Sequence, residues 1–303
     1  MELRHLRYFL AVASHQNVRA ASEELHVSQP AVSRQIQDLE DELGIQLFER
    51  LPRGIRLSRA GEAFREDISR VMAALGVACE RAQRVSRGEI GELRIGYVEV
   101  AGWEGIVPDT FHAFRESAPE VRLELTPTGT PDQLTMIHAG TLDGGFIYQF
   151  DPLPPDLAAL HLGEHGVLLA MPSRWAQRPD GPVKLSDLTG ERFIFFHRNA
   201  YPAYFDRLLT ACALAGLVPH IVQEGRNEAA VLSLVSAGIG MAIVNDRNWF
   251  RPPAQVEFRE LEDLQIGLPL RFVYRRERSN PALETIIACL ESGRSTAPTQ
   301  RNR

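Results

Sequence analysis

Residues 26–50 read His-Val-Ser-Gln-Pro-Ala-Val-Ser-Arg-Gln-Ile-Gln-Asp-Leu-Glu-Asp-Glu-Leu-Gly-Ile-Gln-Leu-Phe-Glu-Arg. Within this stretch, apolar side chains recur at three- and four-residue spacing over Ile36–Leu43, the period of an amphipathic helix. Ser28 offers a hydroxyl as an N-cap, and Pro30 falls in the first turn, where its missing N–H costs nothing. Gly44 follows the last apolar residue and can end the helix. We therefore predict a helix whose N-terminal half is small and polar.

The residues before this stretch predict two more helices. Apolar spacing over Leu3–Ala13 indicates the first, and the same period over Val18–Leu25 indicates a second, shorter one. The polar pair Gln16-Asn17 separates them and can cap the start of the second. A short helix, a tight turn and a longer helix with a polar first half form a helix-turn-helix, which places the longer helix in the major groove of DNA.

The polar half of the longer helix has the residue types that read base edges. Arg and Gln can make bidentate contacts with bases, while Ser and Ala permit close approach to the groove. The residues expected to face DNA are Ser28, Gln29, Pro30, Ala31, Ser33, Arg34 and Gln37.

A wing is predicted directly after the longer helix. Two short extended runs, Leu47–Arg50 and Ile55–Leu57, flank Arg53-Gly54 and suggest a hairpin. Arg50, Arg53 and Arg56 are expected to face phosphates. With Arg59 they form a basic cluster without an intervening acid, in a chain whose net charge is −6. Such a cluster fits an electrostatic footprint confined to one surface, although a solvated loop would have the same composition.

These segments together resemble those of the LysR-type transcriptional regulators. His26–Ile36 looks like the recognition segment of that family, and Leu39–Arg50 followed by Leu57–Gly61 continues the resemblance in the same order. Val18-Arg19-Ala20 departs from it, because many members carry Phe-Thr-Arg there, and the departure assigns a phosphate contact to Arg19.

The resemblance implies a sequence-specific regulator whose DNA binding responds to a small-molecule effector. Its partners would be double-stranded DNA with a two-fold symmetric operator, RNA polymerase, and further copies of itself in a dimer or tetramer. An enzyme is the rival hypothesis, because bilobed α/β domains also host catalysis, and a solute carrier is a third. The sequence contains no nucleophile elbow, phosphate loop or zinc-protease motif, so no catalytic residue is proposed.

A long helix is predicted between the winged helix-turn-helix domain (residues 1–58) and the rest of the chain. Ser58 starts it, and it covers residues 59–87 with a continuous apolar seam. The preceding domain is too small to cover that seam, so we favour a dimerising linker helix over an intradomain core helix. Residues 88–91 follow as a hinge. The seam comprises Ala63, Phe64, Ile68, Val71, Met72, Leu75, Ala78 and Cys79.

From Glu92 onward, strand and helix patterns alternate, which predicts parallel sheets flanked by helices. The fold class is therefore α/β behind an all-α winged helix-turn-helix, and the α/β part resembles the two-lobed, periplasmic-binding-protein-like effector domain of the family. We assign the effector domain to residues 92–293. Its first lobe is about 92–162 and 267–293, and its second lobe is about 163–266. Residues 294–303 are polar and are expected to be a flexible tail.

An effector is expected beyond the carboxyl ends of the strands, where helix N-termini lie. Thr130 matches an effector-contacting position of the family, although it is equally suited to be an N-cap. His197 and Arg198 can bind a carboxylate, and Tyr201 can stack on a ring or simply pack in its lobe. The candidate effector-binding residues are Glu99, Val100, Ala101, Thr128, Thr130, His197, Arg198, Tyr201, Arg226 and Asn245.

Glu99 is unusual in that set, because many members have a small hydroxyl residue near this point. A carboxylate in the cleft repels an anion unless it is paired, with Arg198 or Arg226 as possible partners. An organic acid and a zwitterionic metabolite are both open as effectors. Glu99 favours one with a cationic or donor-rich group in addition to an acid.

Other classes of site are not supported by the sequence. Cys79, Cys212 and Cys289 are far apart and form no metal or disulfide motif, and Cys212 lies in an apolar helical pattern typical of a buried thiol. No cofactor or metal is expected. The N-terminus lacks the apolar core of a signal peptide and no run is long enough to span a membrane, so we expect a cytoplasmic protein.

Overall fold

The computed structural model describes residues 1–51, 54–175, 181–264 and 266–296. The chain divides into two compact units, Met1–Gln83 and the residues from Arg84 onward. The helices are α1 (Leu3–His15), α2 (Val18–Glu24), α3 (Gln29–Leu43), α4 (Arg59–Ser86), α5 (Ile106–Ser117), α6 (Thr130–His138), α7 (Pro202–Leu214), α8 (Glu228–Ser236) and α9 (Ala282–Thr296). The strands are β1 (Phe48–Leu51), β2 (Gly54–Leu57), β3 (Gly91–Tyr97), β4 (Val121–Pro127), β5 (Gly144–Tyr148), β6 (Leu157–His165), β7 (Val167–Pro172), β8 (Arg192–Phe196), β9 (His220–Gly225), β10 (Ala242–Asn245), β11 (Val256–Arg259) and β12 (Leu268–Arg275).

The first unit has the predicted three helices, packed around a core that includes the fully buried Phe9 and Leu39. Asn17 caps α2, because its Oδ1 accepts from two backbone amides at 2.9 and 3.2 Å. The expected side-chain cap by Ser28 is wrong. Pro30 has no amide to donate, and the amide of Ala31 bonds instead to the Ser28 carbonyl at 3.0 Å.

The hairpin β1–β2 is fixed to α3 and α4 by side chains that bond to backbone. Glu40 Oε1 accepts from the amides of Leu47 and Phe48 at 2.7 and 3.0 Å, which joins α3 to the first strand. Ser58 Oγ donates to the Gln46 carbonyl at 2.7 Å. Gly61 allows α4 to approach the hairpin closely, since a Cβ there would lie 2.0 Å from the Leu47 carbonyl oxygen.

Helix α4 is continuous from Arg59 to Ser86, as predicted, and 28 residues long. Only the start of its apolar seam is covered within this chain: Ile68 is buried, whereas Val71 is 52% and Leu75 37% exposed. A seam of this kind is the surface that packs on a second helix in paired helices. The dimerising role stays a prediction.

The first lobe of the second unit contains a five-stranded sheet in the order β4-β3-β5-β12-β6. β3 runs parallel to β4 and β5, but β12 runs antiparallel to β5 and β6. The predicted parallel sheet is therefore found for β3, β4 and β5, whereas β12 and β6 pair antiparallel. The chain leaves this lobe through β6 and returns through β12, so these two strands run in opposite directions.

The second lobe has an antiparallel sheet, β10-β7-β11, and a parallel pair, β8-β9. A bridge between Phe193 and Met241 joins them, with Ile194 donating to the Met241 carbonyl at 2.7 Å. Strands β6 and β11 were not anticipated from the sequence. β6 ends at His165, beyond the expected lobe boundary, and α9 reaches Thr296 within the expected tail. The residues after Thr296 lie outside the described part of the chain.

Candidate effector pocket and DNA-binding surface

The start of α3 presents the side chains expected to contact DNA. Val32, Ile36 and Leu39 face the core of the unit, so the opposite face of the helix is exposed. Ala31 is half-buried. The exposed members of the predicted set on this face are Ser28, Gln29, Pro30, Ser33, Arg34 and Gln37.

The arginines of the wing and of α2 differ in their local partners. Arg56 lies opposite Glu49 in the hairpin and forms an ion pair with it, and this hydrogen bond raises the guanidinium pKa. Arg19 is exposed and pairs with Glu23 along α2 at 3.1 Å. Arg50 is exposed on β1, and Arg53 lies outside the described residues. Exchange of an exposed carboxylate partner for a phosphate costs little.

A cavity of about 290 Å³ lies between the two lobes of the second unit. Its wall is built where β3, β5, β8 and β10 end and where α6, α7 and α8 begin, as the rule for open α/β sheets predicts. Apolar side chains form most of the wall, including Val98, Leu134 and Ile147. A cavity of this size and lining suits a small organic molecule.

Half of the predicted effector residues line this cavity. Glu99 and Val100 come from the turn after β3, and Thr130 from the start of α6. Tyr201 precedes α7, and Asn245 ends β10. The Thr130 hydroxyl donates to the Tyr148 carbonyl at 3.4 Å, and the Asn245 side chain accepts from the Arg247 amide at 2.9 Å.

The other five predicted residues do not line the cavity, and each has a physical reason. Ala101 is fully buried behind the wall. The Thr128 hydroxyl donates to Asp132 at 3.5 Å, outside the lining. Arg198 makes a bidentate pair with Asp206 at 2.8 Å, and His197 lies 3.7 Å from Glu224. Arg226 is exposed after β9.

Sequence reasoning missed Glu228, the first residue of α8. Its Oε1 accepts from the Asn245 amide at 2.9 Å and from Asn248 Nδ2 at 2.5 Å, which ties α8 to the end of β10. Burial raises the pKa of this carboxyl group to about 7, against the effect of those two hydrogen bonds, and the charge of Glu99 adds to the rise. Its position directly after the Asn227 cap of a helix was the available signal.

Aromatic residues of the wall were also missed, apart from Tyr201. Phe150 stacks on Tyr204 at 5.7 Å between ring centroids, and Phe196 meets Tyr201 and Tyr204 edge to face at 5.5 and 5.8 Å. Burial raises the pKa of the Tyr201 phenol to about 12. These residues lie in apolar runs and were indistinguishable from core by periodicity.

Tyr148 lines the cavity and forms a polar pair with His165, which lies outside the lining. Burial raises the pKa of the Tyr148 phenol and lowers the pKa of His165 to about 4. Near neutral pH the phenol is therefore protonated and the imidazole is neutral, and the Tyr148 hydroxyl shares a hydrogen bond of 2.7 Å with His165 Nδ1.

Other kinds of site find little support. Within residues 1–51, 54–175, 181–264 and 266–296, no cluster of His, Cys, Asp and Glu is suited to hold a metal ion. All three cysteines are free, and Cys212 is buried as predicted, which raises its thiol pKa to about 11. No helix in the same described ranges is long and apolar enough to cross a membrane.

Comparison with known proteins identifies the family. The "LysR substrate binding domain" family matches residues 86–294, and the "Bacterial regulatory helix-turn-helix protein, lysR family" matches residues 3–62. The chain belongs to the LysR family. Its resemblance to this family and the α/β fold behind a helix-turn-helix are thereby confirmed.

LysR-family relatives match almost the whole chain. The regulator TfdS of Cupriavidus pinatubonensis (strain JMP 134 / LMG 1197) is 33% identical over 97% of this chain and 99% of its own length. The regulator AlsR of Bacillus subtilis (strain 168) is 32% identical over 95% of this chain and 94% of its own. The crystal structure of CbnR, a LysR family transcriptional regulator, has a TM-score of 0.76, 31% identity and coverage of 96% and 100%. CbnR in complex with its target DNA has a TM-score of 0.78, 30% identity and coverage of 97% and 100%.

Membership of the LysR family establishes the general class of function. The chain is a DNA-binding transcriptional regulator with an effector-binding domain, and it is not an enzyme. The hypotheses of an enzyme and of a solute carrier are therefore wrong for this chain.

Proposed function

We propose that a small molecule in the cavity between the two lobes controls how this regulator binds its operator. The observation that carries the proposal is the cavity of about 290 Å³ in the same chain as a winged helix-turn-helix. A ligand that contacts both lobes favours whichever arrangement of them it binds more tightly, and so shifts the population of states. Of the effector types considered, an organic acid loses support, because neither Arg198 nor Arg226 lines the cavity.

The exposed face of α3 is proposed to read the operator. Arg34 and Gln37 would contact base edges, with Ser28, Gln29, Pro30, Ala31 and Ser33 allowing close approach. Arg50, Arg53 and Arg56 in the wing and Arg19 in α2 would neutralise phosphates. Since base contacts specify and phosphate contacts only position, the two groups differ in their effect on specificity.

The regulator is proposed to act as a dimer or tetramer through the exposed seam of α4, on an operator with two-fold symmetry. Two recognition helices related by that symmetry would enter successive major grooves. Its action on transcription would involve RNA polymerase, and it would act in the cytoplasm, where its DNA target would lie.

A mobility shift with the DNA upstream of its own coding region tests the proposal. With random-sequence competitor present, we expect a specific complex that one metabolite strengthens, weakens or moves. Arg34→Ala should lower specific affinity about tenfold or more while leaving nonspecific binding nearly intact. Arg50→Ala, the control from the phosphate group, should weaken all sequences and flatten the salt dependence. Equal affinity of the unmutated protein for genomic and random DNA would refute specific regulation.

A further inference from the structure

The charged residues of the cavity wall are all acidic. Glu99, Asp151 and Glu228 contribute carboxylates, and none of the described lining residues is Lys, Arg or His. The cations nearby are engaged elsewhere: Arg207 donates to the Phe150 carbonyl at 3.0 Å, and Arg247 pairs with Asp246 at 3.2 Å. An anionic ligand would therefore meet uncompensated negative charge in this cavity.

Glu228 has an oxygen left for a ligand. Both of its hydrogen bonds, from Asn245 and Asn248, fall on Oε1. No described residue donates a hydrogen bond to Oε2, and the residue lines the cavity. A half-buried carboxylate with one unused oxygen is a good acceptor for a charged donor.

Two buried polar groups of the wall have no hydrogen-bond partner among the described residues. Tyr204 is 7% exposed and its hydroxyl is unpaired, and the side-chain oxygen Oε1 of Gln149 is unpaired as well. Since an unpaired buried polar group is costly, these atoms point to a polar ligand that would satisfy them.

The features that bind anions at helix N-termini are weakened here. The second residue of α6 is Pro131 and the first of α7 is Pro202, and both line the cavity without an N–H to offer. At α8 the position is occupied by Glu228, whose own carboxylate lies at the positive end of the helix. Aromatic rings complete the wall, and the faces of such rings attract cations. They are Tyr148, Phe150, Phe196, Tyr201 and Tyr204.

We propose that the effector of this regulator is an organic cation. Its ammonium or amidinium group binds Glu228 and Glu99, and its apolar body packs on the aromatic wall. This inference rests on the proposed function, because it assigns a chemical class to the ligand of the same cavity. It differs from the organic acid and the zwitterion considered at first in that no acidic group is required of the ligand.

The test is calorimetric titration of the full-length protein with probes that differ only in charge. Benzylamine and its longer phenylalkylamine homologues are compared with the alcohols and carboxylates of matched length, and with L-phenylalanine. At mildly alkaline pH, where Glu228 is ionised, we expect at least one amine to bind about tenfold more tightly than its matched carboxylate and alcohol. Glu228→Gln should lower that amine's affinity about tenfold and leave alcohol binding within about twofold.

Further variants keep the proposal falsifiable if Glu228→Gln fails to fold. Glu99 is exposed, so Glu99→Lys carries little folding risk and should invert the preference toward carboxylates. Glu104→Gln, at an exposed acid outside the cavity, should match the unmutated protein. Tighter binding of a carboxylate or of L-phenylalanine by the unmutated protein would overturn the proposal, as would no binding of any amine at millimolar concentration.

The DNA experiment separates this inference from the proposed function. A protein that shifts genomic DNA specifically but binds no amine keeps the regulatory function and loses the organic cation. A protein that binds amines but shows no specific complex with genomic DNA keeps the cation site and loses the regulatory function.

Discussion

Replacing Glu228 with glutamine removes one ionisable group from the pocket wall, while the new amide oxygen can still accept from Asn245 and Asn248. In the folded chain, burial raises the pKa of Glu228 from 4.5 to about 7. A raised pKa favours the protonated acid in the folded state. The Glu228 carboxyl group therefore contributes its full stabilisation below pH 4.5, and this contribution is lost as the pH rises through about 7. With about 1.4 kcal/mol per pKa unit, the loss is at most about 3.5 kcal/mol.

Tryptophan fluorescence reports this loss from the correct part of the chain, because Trp103, Trp175 and Trp249 all lie in the second unit. In urea unfolding of the full chain, the free energy of unfolding of Glu228→Gln should rise relative to that of the unmutated protein as the pH is raised from about 5 to about 8. Solvent access from the cavity lowers the expected gain to about 1–2 kcal/mol. Glu104→Gln should show no such change. An equal difference in unfolding free energy at both pH values would refute a raised pKa of Glu228 in the folded chain.

Three other predictions concern packing and assembly. Tyr204→Phe removes an unpaired hydroxyl and should stabilise the ligand-free protein by about 1 kcal/mol in thermal unfolding, whereas Tyr148→Phe removes a hydrogen bond and should destabilise it by about 1 kcal/mol; a loss in both would show that Tyr204 has a partner. Gly61→Ala should destabilise the first unit by about 3 kcal/mol or more, because the new methyl group collides with a backbone carbonyl, and an unchanged far-ultraviolet melting curve would contradict this. Leu75→Glu should dissociate the oligomer in sedimentation, and the control Val77→Glu, off the seam, should not; an unchanged mass for Leu75→Glu would exclude the seam as the interface.

The helices of the first unit could be predicted closely because their signals are local. Periodicity, the Asn17 cap and the Gly44 end depend on residues a few positions apart. The Ser28 side chain does not cap the helix for an equally local reason. Pro30 has no amide to donate, and the Ala31 amide bonds to the Ser28 carbonyl instead. The link from Glu40 to Leu47 joins two elements and was invisible to periodicity.

The sheets were predicted less well, because the direction of a strand depends on whether the chain is leaving or re-entering the lobe at that point. A pattern of strand and helix is the same whether β12 pairs parallel or antiparallel with β5. Strand β6 follows a proline-rich segment and lacks polar alternation, so its sequence does not distinguish it from a loop.

The pocket residues divide in an informative way. Predictions from strand ends selected loops that contribute Glu99, Thr130 and Tyr201 to the cavity wall. The basic residue Arg198 does not line the cavity, because it pairs with Asp206 eight positions along the chain, and no loop pattern shows that pair. Glu228 was not predicted because a carboxylate does not suit an anionic ligand.

Glu228, Tyr204 and Gln149 share an energetic property that ordinary core residues lack. Each lowers the stability of the empty cavity, through a carboxylate held in an apolar wall or a polar group without a partner. Destabilising groups that converge on one cavity are expected where binding recovers the lost energy, since a ligand with matching charge and acceptors supplies the missing partners. A ligand of the correct class should therefore raise the unfolding temperature of the second unit more than its contact area alone would suggest. The same coupling lets the effector change the arrangement of the lobes. The ligand supplies the missing partners only in the arrangement in which both lobes contact it, so binding shifts the population toward that arrangement.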